Sequence, residues 1–456
     1  MIQNQFLIQD QKNKPIKLRA KRVAYYVRGQ IIEAMSDNEE LYYLFYYQNH
    51  FLTAKKTSKL RRGSYIENAF KRGHIYDAPH PFINTLITSN QTSKILNNKQ
   101  LLRKLNQQYS SHDKAYILTF FESFISKKQL FEEIKSMFYE LRRNGQLFSA
   151  YQLICILKDF APNHSLVKSL SSDLIYKDFS KMYYDRTEEF FRKDPIEAEK
   201  IMFSEQDRYA EQYVSKLKAD GRKLELLVWQ YEHLKNHPQE ELYNSFFNEL
   251  QPISDHEKIQ ILEQLINQNH FLPIQEDLFK LYIKTNQFDK VAELMTTYEM
   301  DISEQDLEEV TQLLLESPQK NIDVDQLQPL LLKVTEYNHA LAEDLLYKYI
   351  GAMLQKHDLF YIKKWLEPFK DHSAVIQKFG KLYQLNEDLD HMQTLGELYY
   401  EFKHWDQAIE CFSMESELKP DEALPLKWLS KTYLEKGMKE ESDVYQKMFV
   451  NVQKQA

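Results

Sequence analysis

Apolar residues recur along this chain at spacings of three and four, the period of an amphipathic helix. Between residues 20 and 34, Val23, Val27, Ile31 and Ala34 fall on one helical face. Ser36 stands three residues before Glu39, the spacing of a capping box, and predicts a second helix running to about His50. That segment carries Tyr42, Tyr43, Phe45, Tyr46 and Tyr47. At helical spacing an aromatic stripe reads as core; the rival reading is base stacking beside basic residues. RGHIYDAPHP, around His74–Pro81, breaks the period, and the polar stretch SNQTSKILNNKQ follows at 89–100. A boundary is therefore placed near residue 110.

The end of the chain repeats itself. In residues 389–422, Leu395 and Gly396 are followed by Tyr399, then Ala408, Phe412 and Pro420. Leu429, Ser430, Tyr433, Gly437 and Ser442 repeat the plan, with Leu429 and Tyr433 each 34 residues after its counterpart. The physical reading is a pair of antiparallel helices per unit. Gly396 and Ala408 let the two helices approach, Leu395, Tyr399 and Phe412 fill the space, and Pro420 stops the second helix. Over about 389–450 this pattern resembles the tetratricopeptide repeat (TPR) family. Weaker copies read Met137, Phe138, Leu141, Gly145, Ala150, Ile154, Pro162; Tyr213, Val214, Leu217, Gly221, Leu226, Pro238; and Leu278, Tyr282, Val291, Met295. From about 300 to 388 the helical period persists without the signature positions.

The expected fold is all-α: an α-solenoid of antiparallel helical hairpins, a TPR-like superhelix, with a basic helical N-terminal region. Three regions are expected: 1–110, basic, aromatic-rich and helical; 111–388, degenerate repeats; and 389–456, two clear repeats. The resemblance implies a right-handed superhelix whose concave groove, lined by the first helix of each hairpin, holds a peptide or partner helix. Its groove positions fall here on Gln393, Glu397, Tyr400 and Glu401, then on Lys427, Lys431 and Glu435. The chaperone-binding subset of the family has lysine and asparagine where this chain has Gln393 and Glu397, so an acidic C-terminal carboxylate is not the expected ligand.

Composition sharpens the picture. The chain has only 9 Gly and 13 Pro in 456 residues, which argues against sandwiches, barrels and glycine-looped nucleotide folds. Net charge is −8, but residues 1–115 carry 19 Lys+Arg against 8 Asp+Glu. The clusters include Lys55, Lys56, Lys59, Arg61, Arg62, Lys71 and Arg72. A basic patch of this kind suits nucleic acid or an anionic membrane surface; the plainer readings are a solvated face or docking on the chain's own acidic repeats. Lys, Asn, Gln and Tyr usage resembles that of low-GC bacteria.

Chemistry is sparse. There is no G-x-G-x-x-G, P-loop, H-E-x-x-H, C-x-x-C or G-x-S-x-G in the sequence. His233 and His237 stand four apart, but with no third ligand suggested no metal site is expected. Cys155 and Cys411 read as inert core thiols, and two distant cysteines fit a reducing compartment. The start lacks a signal-peptide core and no apolar run reaches membrane-spanning length, so a cytoplasmic location is expected. No catalytic residue and no cofactor are assigned. The leading expectation is a non-enzymatic scaffold or adaptor for a protein or peptide. The alternatives are a nucleic-acid-binding or peptide-sensing regulator using the basic N-terminal region, and an accessory subunit or helical-repeat regulator of an enzyme.

Overall fold

The structure is a computed structural model. It describes residues 5–455 except 58, 91–92, 268–270, 299, 301–302, 317–323, 370–372 and 387, and it leaves out the side chains of 339 and 455. The chain divides into two compact units, residues 1–273 and 274–456.

The first unit opens with a sheet. β1 (Gln5–Gln9), β2 (Pro15–Tyr26), β3 (Gly29–Ser36), β4 (Leu41–Tyr47) and β5 (His50–Lys56) form an antiparallel meander. β6 (His74–Asp77) pairs with the second half of β2. The N–H of Gln9 donates to the carbonyl of Ser93 at 2.8 Å, and its carbonyl accepts from Ile95 at 2.8 Å. The next residue, Leu96, donates its N–H to Thr53 Oγ1 on β5 at 2.9 Å. One short segment thus bridges the sheet's two edge strands and curls it toward a half-barrel.

This overturns the expectation of an all-α chain with a helical N-terminal region. Val23 and Ile31 lie on adjacent strands, and Ser36 begins a hairpin loop rather than a helix. Its Oγ accepts from the N–H of Glu40 at 3.2 Å. Two physical facts hid the sheet. Tyr43, Phe45 and Tyr47 on one face of β4 join a helical core, while Tyr42, Leu44 and Tyr46 on the other face are buried as well. A strand covered on both sides shows no alternation. The tight turns also dispense with glycine: Asn13, Val27, Glu39, Gln48 and Asn49 adopt positive φ of 63°, 54°, 59°, 50° and 66°.

Helices cover the sheet. They are α1 (Tyr65–Arg72), α2 (Pro81–Thr88), α3 (Asn98–Gln108) and α4 (Ser111–Thr119). α5 (Lys127–Arg143) and α6 (Leu147–Phe160) make the first hairpin. Short helices follow: α7 (Ser165–Ser171), α8 (Lys177–Tyr184), α9 (Glu188–Lys193) and α10 (Pro195–Ser204). α11 (Ala210–Ala219) and α12 (Lys223–Asn236) form a second hairpin, then come α13 (Glu240–Glu249) and α14 (Asp255–Ile266).

The second unit is helical throughout its described residues. α15 (Leu272–Lys284) and α16 (Phe288–Tyr298) are followed by α17 (Glu304–Glu316), α18 (Val324–Tyr337) and α19 (His339–Leu354). Then come α20 (Leu359–Leu366) and α21 (Ala374–Leu385). The last two hairpins are α22 (Met392–Glu401) with α23 (Trp405–Leu418), and α24 (Ala423–Glu435) with α25 (Lys439–Gln455).

Five hairpins share one turn. Gly145, Gly221, Asn286, Lys403 and Gly437 sit at positive φ between 56° and 86°. At each, the residue's N–H bonds the carbonyl three back and the following N–H reaches five back, as with Gly145 to Arg142 and Gln146 to Leu141. This pair of hydrogen bonds satisfies carbonyls at the helix end and reverses the chain. The hairpins expected at α5–α6, α11–α12, α22–α23 and α24–α25 form with their helices packed together, and the same turn joins α15 to α16. A Cβ on Gly396 would lie 2.6 Å from the Phe412 ring, which is the close approach the repeat pattern requires. At the matching positions of the last hairpin, Ser430 Oγ donates to the Ser442 carbonyl at 2.9 Å and Ser442 Oγ to the Ser430 carbonyl at 2.8 Å.

Candidate functional site

The groove residues inferred from the repeat pattern lie on α22 and α24. Gln393, Glu397, Tyr400 and Glu401 recur at helical spacing on one face of α22, and Lys427, Lys431 and Glu435 do so on α24. Lys431 and Tyr400 are brought together across the two helices, with the ammonium 4.6 Å from the ring centre. The same ammonium lies 4.6 Å from the Trp428 ring. Trp405 meets Tyr400 edge-on at 5.0 Å, and Trp428 stacks on Phe412 at 5.6 Å. Burial, with some help from Glu435, raises the Tyr400 hydroxyl's pKa, so it stays a neutral donor at neutral pH. The result is a half-exposed shelf of rings holding one cation.

The other groove positions are engaged differently. Gln393 Nε2 donates to Glu397 Oε1 on the same helix at 2.7 Å, and its own Oε1 is buried without a partner. Glu401 pairs with Lys378 of α21 at 2.7 Å. Lys427 and Glu435 are exposed. Trp405 and Trp428 were missed from sequence. The visible signal was the place of Trp405 two residues after the turn at Lys403 and of Trp428 three residues before Lys431.

The seven basic residues differ in their surroundings. Lys55 is half-buried and donates to the Leu96 carbonyl and to Asn98 Oδ1, and burial lowers its pKa. Lys56 pairs with Glu40, and Lys71 with Glu67 one turn away. Lys59, Arg61 and Arg62 are exposed in the β5–α1 loop, and Arg72 ends α1.

Sequence reading also missed a buried ion network. Arg28, in the β2–β3 turn, donates Nε and Nη2 to Glu199 Oε1 at 2.8 and 2.6 Å. Arg222 donates Nη1 to Glu199 Oε2 at 2.6 Å and forks onto Glu225. Arg28 Nη1 also donates to Tyr47 and Asp113, at 3.1 and 3.3 Å. Glu199 is fully buried. Burial works against the Arg28 charge, but Glu199 outweighs it and holds the guanidinium well above its ordinary pKa. The network ties a strand turn to α4, α10 and α12, which is a positional role. Nothing local in sequence marks Arg28 and Glu199 as partners.

His233 stacks on Trp229 at 4.8 Å and lies 5.3 Å from His237. Among the described residues no group of three ligating side chains forms, and no helix is long and apolar enough to cross a membrane. Cys155 and Cys411 are buried and free, with burial pushing the Cys411 thiol up to about 12.

No family model matches this chain, and no curated protein does. Among solved structures, the one titled "Crystal Structure of P58(IPK) TPR Domain at 2.5 A" is matched over 70% of this chain and 92% of that chain. Identity is 14% and the TM-score is 0.14. The description of helical hairpins given above therefore rests on this chain's own turns and packing.

Proposed function

We propose that this chain is a non-catalytic scaffold or adaptor that holds a protein or peptide partner on the shared face of α22 and α24. The observation that supports this reading most is the seat of Lys431 over both Tyr400 and Trp428. It joins consecutive hairpins into one surface of rings and charge. Tyrosine and tryptophan give large contact area with few rotatable bonds, and so anchor interfaces well. Helical hairpins are stiff neighbours, which lowers the ordering penalty on binding. Glu397, Glu401, Lys427 and Glu435 around the shelf suit an amphipathic segment of mixed charge. The buried, unpaired thiols suit the reducing cytoplasm.

A photo-crosslinking residue at Lys427 tests this in cells of the source organism. The reading expects one dominant protein adduct, absent when the same residue replaces the exposed Glu440 on α25. Equal adduct patterns from both positions would contradict it.

A further inference from the structure

In the first unit a cleft of about 720 Å³ opens where the β2–β3 turn meets α1, α4, α6 and α10. That volume lies within the range of small-molecule sites. One wall is aromatic: Tyr26 meets the Phe203 ring edge-on at 5.6 Å and lies 5.6 Å from Tyr65. A flat apolar side chain fits against such a wall.

Arg72 is an exposed cation in the lining, and the two lysines there each have a carboxylate beside them. Lys200 Nζ lies 2.6 Å from Asp159 and 2.6 Å from Glu197. Lys127 Nζ lies over the Phe160 ring at 4.6 Å and is a loose 3.8 Å from Glu122. A phosphate entering here meets carboxylates already beside each lysine, and a simple cation meets the lysines. A ligand bearing one charge of each sign is served at both poles. The Asp159 side chain is 64% exposed, so it can take a second partner.

The cleft also has a strained rim. Val27 sits at φ 54°, a conformation that is an outlier for a β-branched residue. The ion network at the adjacent Arg28 holds the turn in place. Strain maintained by its surroundings gathers at ligand sites.

We propose that this cleft binds a short zwitterionic dipeptide that carries an aromatic side chain. The ligand's carboxylate meets Lys127, its ammonium meets Asp159, and its ring packs against Tyr26 and Phe203. This site is independent of the α22–α24 face.

Calorimetric titration of the full chain with Ala-Phe, Phe-Ala and Leu-Phe tests it, with the N-acetylated and C-amidated forms, inorganic phosphate and ATP alongside. Saturable binding of at least one free dipeptide is expected, weakened about tenfold by capping either end. Lys127→Gln erases the preference for a free carboxylate and Asp159→Asn the preference for a free amine. Both side chains reach solvent, and unchanged circular dichroism confirms that the variants fold. The proposal is overturned if no dipeptide saturates, if capped forms bind as well as free ones, or if phosphate or ATP binds instead.

Discussion

The ammonium of Lys431 lies 4.6 Å from the ring centre of Tyr400 on the neighbouring hairpin. A cation over a partly exposed ring is worth about 0.5–1 kcal/mol. A double-mutant cycle of Lys431→Gln with Tyr400→Leu, read by urea unfolding, is therefore expected to show coupling of about that size. Additive effects within about 0.3 kcal/mol would mean the contact is idle.

Gly396 is where a hairpin's two helices touch, and any Cβ there runs into Phe412. Gly396→Ala is expected to destabilise the second unit by about 1–3 kcal/mol, the usual result of overpacking. Phe412→Leu placed in the same chain is expected to return part of that loss. Denaturant midpoints for the single and double variants check both statements.

Glu199 is shared by two guanidinium groups. Glu199→Gln keeps its size but leaves Arg28 and Arg222 buried without their common counter-charge. A loss of about 3–5 kcal/mol is expected. Thermal unfolding followed by circular dichroism reads it, and a stability within about 1 kcal/mol of wild type would remove the network from the account.

His80 caps α2: its Nδ1 accepts from the N–H of Phe82 at 3.1 Å, and Nε2 faces Gln264 Oε1 at 3.1 Å. Burial pulls its pKa down to about 4, with Gln264 and Glu232 opposing and Lys235 assisting. The unfolded chain therefore takes up this proton first as pH falls. Stability from His80 is whole above about pH 6.5 and drains away between about 6.5 and 4, by at most about 3 kcal/mol. Unfolding titrations across that range are expected to slope downward with acid, and His80→Asn, which can retain the cap, is expected to flatten the slope.

Much of the helical array was legible because its rules are local. Gly145, Gly221 and Gly437 mark turns that demand a left-handed residue, and Gly396 faces Phe412 at repeat spacing. Lys403 fills the same turn at φ 57° without a glycine, marked only by Pro420 17 residues on, the interval between Gly145 and Pro162. The sheet was missed for a converse reason. Val23, Val27 and Ile31, four apart, mimic a helical face. The better signal was earlier, where Ile16, Leu18 and Ala20 alternate with Lys17, Arg19 and Lys21 along β2. Scarce glycine then argued wrongly against turns that Val27, Gln48 and Asn49 make. Of the residues that the repeat pattern assigns to a groove, Tyr400 and Lys431 lie together across two helices. Their tryptophan neighbours, and the Arg28–Glu199 pair 171 residues apart, depend on tertiary contacts that no local spacing encodes.

Partner binding through the α22–α24 face is tested most directly by affinity capture with the full chain and with a Lys427→Glu/Lys431→Glu variant. Both lysines are exposed, so the variant should fold normally. The account expects a protein that wild type retains and the variant loses, with its isolated form binding wild type at least about tenfold more tightly in titration. Capture of the same proteins at the same affinity by both forms would contradict it.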